Sequence, residues 1–183
     1  MGWKKVKEHY NIKHIVCIAD KGLCIGSAYI HDLIVIRLDG TFAKKYDIKS
    51  HANDELRRYQ IEMDADPEKL KGLISEADTF EKSLPVYTYD GADIIEKQCE
   101  EYEWPNVTHD GELMYDNTFF IERNAAIEKA KESAKYGIDC YSDRLESLRK
   151  DIEKASNLLE IESNNLLKLQ AMINQPPTGE EDM

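Results

Sequence analysis

One apolar stripe crosses the last third of the chain almost without a break. From Ile138 through Tyr141, Leu145, Leu148, Ile152, Ala155, Leu159, Glu162, Leu166, Leu169 and Ile173 the steps alternate three and four, and Glu162 is the only polar intruder. Ile127, Ala130 and Ala134 extend it upstream. Such alternation is the signature of a long amphipathic helix built to lie against another helix. A helix from about Glu122 to Asn174 would run roughly 80 Å at 1.5 Å per residue. That is longer than a domain of this mass is wide, so the helix must fold back, project or find a partner. Gly137 costs such a helix about 1 kcal/mol relative to alanine. The stripe also steps four and then four across Ala130, Ala134 and Ile138, which places any bend at Gly137.

The positions flanking the stripe constrain its partner. In a parallel homodimer Arg144 would face Arg149 of the other chain, and the remaining flanks are mostly Ser, Asn and Gln. Edges of that kind give little attraction and one repulsion, which disfavours a parallel zipper. An antiparallel pairing, or packing on a different protein, stays open.

The N-terminal part reads differently. Trp3, Val6, Lys7 and Tyr10 have helical spacing, so residues 2–10 form a short opening helix. β-branched segments follow at 14–19, 23–30 and 33–38, separated by Asp20-Lys21-Gly22 and His31-Asp32. Asp39-Gly40 is a hairpin signal that returns the chain through residues 41–46. Three or four short strands joined by tight turns make an antiparallel meander. Asn53 caps a helix reaching about Met63, and Asp66-Pro67-Glu68 starts another with a cap, a first-turn proline and an acid. Residues 84–89 read as a strand, 92–103 as a third short helix stopped by Trp104-Pro105, and 113–115 as a short strand.

These elements predict an α+β fold: an α+β globular domain over 1–118, the long helix over 119–174, and an acidic disordered tail over 175–183.

Net charge is −12 and unevenly spread. Residues 1–50 hold nine Lys and Arg against five acids, residues 51–119 six against eighteen, and residues 120–183 nine against thirteen. Phosphate contacts need a positive field, so direct nucleic-acid binding is not expected. A basic protein suits the acidic middle, and Glu100, Glu101 and Glu103 are its densest cluster. The apolar runs, such as Leu33–Ile36, are far too short to span a bilayer. No hydrophobic segment follows the basic start, so no secretory signal is expected and the expected location is cytoplasmic. Cys17 and Cys24 flank a turn and would lie nearly opposite one another as small buried hydrophobes. With no Cys-x-x-Cys pair, a zinc site is not expected.

Catalytic motifs are sparse. His31-Asp32 and His109-Asp110 superficially resemble the dipeptides of HD-type metal phosphohydrolases. That family sets its ligands on the helices of an all-α fold, whereas His31-Asp32 falls between strands. Glu62, Asp64, Asp66 and Glu68 alternate, yet the glycine and glutamate of a calcium loop are missing, and helix-start chemistry explains them. The segment 22–27 is glycine-rich but leads into a strand and lacks the Gly-Lys-Ser/Thr ending of a phosphate loop. Lys4, Lys5 and Lys7 form a small basic cluster, and Tyr87 and Tyr89 suit packing better than base stacking among so many acids.

The expectation is therefore a non-enzymatic, acidic protein–protein interaction module without cofactor or metal. It would act as an inhibitor or accessory factor on a basic nucleic-acid-binding protein or complex, as small acidic proteins of phages and mobile elements do by analogy. Its docking residues would be Glu100, Glu101, Glu103, Leu148, Ile152, Leu159 and Leu166. Two alternatives are a structural subunit assembling through the long helix, and a metal-dependent phosphohydrolase using His31, Asp32, His109 and Asp110.

Overall fold

The computed structural model of the chain describes residues 1–47, 49 and 53–173. Helix α1 (Trp3–His9) buries Trp3 and Val6, with Tyr10 just beyond its end. Strands β1 (Ile15–Ala19), β2 (Gly22–Gly26), β3 (Ile34–Ile36) and β4 (Phe42–Lys44) form an antiparallel sheet in sequential order. This is the expected meander, completing the α+β fold with short helices and the long C-terminal helix.

Turn chemistry sets the register. Asp20 and Lys21 close a two-residue hairpin in which Ala19 pairs with Gly22. Gly22 has φ +121°, and a Cβ there would fall 2.3 Å from the Ile36 carbonyl oxygen, so only glycine fits. That register places Cys17 opposite Cys24. Both are buried free thiols, as their apolar setting suggests. Asp39-Gly40 turns the chain between β3 and β4, with the Arg37 amide donating to Thr41 O at 2.8 Å.

Every residue of β2 and β3 is buried, because side chains from the helices and from the β7–β8 segment (106–114) close over the sheet rather than leaving it to water. Helix α2 (Asp54–Ala65) contributes Leu56, Tyr59 and Met63, and α3 (Pro67–Ser75) contributes Leu70, Leu73 and Ile74. Both helices start at the predicted caps. Asn53 Oδ1 accepts from the Leu56 amide at 3.1 Å and Asp66 Oδ1 from the Lys69 amide at 3.0 Å. Caps of this type contribute about 1 kcal/mol each.

The predicted helix over 92–103 is a strand. β5 (Leu84–Asp90) and β6 (Asp93–Cys99) form a hairpin whose closing pair is Asp90 and Asp93. Gly91, at φ +58°, supplies the left-handed turn residue. The spacing of Ala92, Ile95 and Cys99 imitates a helix, but turn chemistry and the adjacent Ile94 and Ile95 favour the ladder. Phe120 adds to the outer side of β5 through paired 2.8 Å bonds with Tyr87. Two short strands follow, β7 (Asn106–Val107) and β8 (Leu113–Met114), the second of them within the strand expected over 113–115. Val86, Cys99, Met114 and Phe119 form a second, smaller core.

Helix α4 spans Arg123–Ile173 and is continuous through Gly137. The chain divides into two units, 1–131 and 132–183. Within the first, α4 buries Ala126 and Ala130. In the second, every described residue except Gly137 is exposed. The expected acidic tail lies outside the described residues. No helix among the described residues is long and apolar enough to cross a membrane.

Candidate functional site

The stripe of α4 is exposed along its length beyond Gly137. Leu148, Ile152, Leu159 and Leu166 are 40%, 69%, 70% and 57% exposed. Around them Tyr141, Leu145, Leu158 and Leu169 are exposed as well, so the apolar surface is contiguous along the helix. Contiguous apolar surface on this scale is unusual for a folded chain in water, whereas single exposed leucines are ordinary. Some charges beside and behind the stripe pair within the helix. Glu146 pairs with Lys150 at 3.4 Å and Asp151 with Lys154 at 3.9 Å, exposed pairs each contributing a few tenths of a kcal/mol.

The three glutamates of the acidic middle do not share one environment. They follow β6, and Glu100 turns inward: Lys4 Nζ donates to its Oε1 at 2.8 Å and lies 2.7 Å from its Oε2. The Glu81 amide donates to the same carboxylate at 2.8 Å. Glu101 and Glu103 remain exposed. Sequence reasoning missed the Lys4–Glu100 pair because the partners are 96 residues apart and no local pattern joins them. Lys5 is likewise taken, by Glu76 at 2.6 Å, so the N-terminal basic cluster is largely neutralised at home. Lys7 lies in a cavity of about 500 Å³ that Trp3, Glu101 and Asn106 also line. Burial pushes its amine below the usual lysine range, with Glu101 partly opposing.

Burial alone would raise the Glu100 carboxyl, but the Lys4 hydrogen bond, the Glu81 amide and the Lys4 charge hold it below the ordinary 4.5. A depressed carboxyl stabilises the fold above its unfolded value and loses that contribution as pH falls through the folded one. Stability should therefore decline as pH drops below 4.5. Urea unfolding across that range should show a shallower decline for Glu100→Gln, and identical slopes would remove Glu100 as a contributor.

The four residues of the hydrolase alternative are placed apart in role. Asp32 lies between β2 and β3, where hydrogen bonds from Lys44 and Lys21 hold its carboxyl below the usual range. Asp110, in the β7–β8 turn, is held by Lys97 at 2.6 Å and by the Thr108 hydroxyl. The His109 ring stacks on Phe80 with centroids 3.8 Å apart. No group of three or more His, Cys, Asp or Glu among the described residues could hold a metal ion, so the required convergence is missing. The alternating acids of α2 and α3 are also engaged: Glu62 with Arg58, Asp64 with Lys45, and Asp66 as a cap.

No protein-family model, curated protein or solved structure matches this chain.

Proposed function

We propose that this chain is a non-enzymatic protein–protein interaction module, an inhibitor or accessory factor of a basic nucleic-acid-binding protein or complex. The observation that carries the reading is the exposed stripe of α4, an apolar surface that none of the described residues of the second unit buries. The net charge of −12 and the exposed Glu101 and Glu103 favour a basic partner, steering encounter and setting its salt dependence. Exposed charges act over about 8 to 10 Å at moderate ionic strength, so these acids contribute mainly to association rate.

The test is affinity capture with the full chain from its native host, identification of the bound protein, and measurement of binding across salt concentration. Wild type should retain a basic protein with affinity falling as salt rises. Glu101→Ala with Glu103→Ala should weaken binding several-fold and flatten the slope. An unchanged slope would remove both acids from the interface, and failure to retain any protein would remove the function.

A further inference from the structure

We propose that a second copy of this chain covers the stripe, the two α4 helices pairing antiparallel about a two-fold axis between Glu153 and Lys154. This goes beyond the interaction reading above: it assigns the stripe to self-association and leaves the exposed Glu101 and Glu103 to meet the basic protein. Any occupant must answer three charges set in or beside the stripe, Glu162 within it and Arg144 and Arg149 on its flanks, whereas a fourth, the flanking Asp151, already pairs with Lys154 at 3.9 Å. Among the described residues none of the three enters an intrachain ion pair, unlike the 146–150 and 151–154 pairs nearby.

A parallel copy answers them badly. Like positions face each other across a parallel seam, so Glu162 meets Glu162 and Arg144 meets Arg149 on both edges. Reversing one copy removes every one of these conflicts. Leu148 then layers on Leu159, Ile152 on Ala155, Tyr141 on Leu166 and Ile138 on Leu169, each contact occurring twice by symmetry. Glu162 falls opposite Leu145 of the second copy. In an antiparallel pair the side of the seam holding Glu162 also holds the residue just before Leu145, which is Arg144. Arg149 meets Ser156. Sliding the copies by one heptad replaces Arg144 at this place with Gly137 in one direction and Asp151 in the other. The charge pattern therefore selects one register, and that register uses the stripe from Ile138 to Leu169. The single polar residue that breaks the stripe becomes the residue that fixes its alignment.

Cys140 supplies a native reporter, because it alone of the four cysteines is exposed. A nitroxide on Cys140 in the full chain should give a label separation on the order of 40 Å in the antiparallel dimer, against about 20 Å or less in a parallel one. Light scattering should give about twice the 21.1 kDa chain mass. Glu162→Arg and Arg144→Glu should each weaken self-association at least tenfold, since each places like charges together twice. An equimolar mixture of the two variants should restore a dimer of wild-type affinity, because each supplies the charge the other needs. A short label separation, an open-ended polymer, undiminished self-association of either variant, or a mixture that stays monomeric would overturn the pairing. A monomeric wild type whose capture of a basic protein still depends on Leu159 would overturn it while leaving the interaction reading intact. A stable dimer that captures no protein would do the reverse.

Discussion

Leu159→Asp should reduce association through α4 by well over tenfold while leaving the melting temperature of the N-terminal body unchanged. Leu159 is 70% exposed, so the chain alone loses little when it is replaced. Covered by a partner, a leucine contributes about 1.5 to 3 kcal/mol through burial. An aspartate in the same place forfeits that and adds several kcal/mol for desolvating an unpaired charge. Each 1.4 kcal/mol is about tenfold in affinity, so the lower bound already exceeds one decade. Light scattering across concentration measures the association, and thermal unfolding followed by near-ultraviolet circular dichroism measures the body. A large fall in melting temperature, with a wild type that never associates, would show that the stripe is intrachain core and would sink the interaction reading.

Local chemistry made most of the fold legible. Asn53 and Asp66-Pro67 announced α2 and α3 because a cap acts through its own next three residues. Asp20-Lys21-Gly22 and Asp39-Gly40 announced the meander because a tight turn leaves the flanking strands no other course. The hairpin of β5 and β6 was misread although Asp90-Gly91 repeats the signal used at Asp39-Gly40. There the helical spacing of Ala92, Ile95 and Cys99 competed with it, and periodicity over one short window is the weaker evidence.

The stripe of α4 was legible residue by residue as a periodicity, but its exposure was not, because the same alternation serves a helix that folds back as well as one that projects; only the structure leaves Leu148, Ile152, Leu159 and Leu166 exposed. The acidic cluster was legible only as composition. Which acid is free and which is spent depends on contacts such as Lys4 with Glu100 and Lys97 with Asp110 and Glu112, all made by tertiary folding. A charge count cannot separate Glu100, bonded inward, from Glu101 and Glu103 beside it.

Leu23→Ala should lower the unfolding free energy of the N-terminal body by about 2 to 5 kcal/mol, the usual range for a leucine removed from a closed core. Leu23 has no exposed surface and sits in the middle of the four-stranded sheet, paired with Ile18 on one side and Ile36 on the other. Helices and the β7–β8 segment close over the sheet, and β2 is buried along its whole length, so little freedom remains for neighbours to collapse into the space. Against a typical total of about 5 to 15 kcal/mol, such a loss leaves the body marginal. Urea unfolding followed by Trp3 fluorescence should show the midpoint falling, since Trp3 belongs to the same core. Thiol labelling offers an independent readout. In wild type only the exposed Cys140 should react quickly, while in Leu23→Ala the buried Cys17 and Cys24 should become reactive as the sheet opens more often. The label separation at Cys140 in the associated protein should stay the same, because the stripe lies in the other unit. A loss below about 1 kcal/mol, with the buried thiols still protected, would mean that the sheet is not the cooperative core of the body.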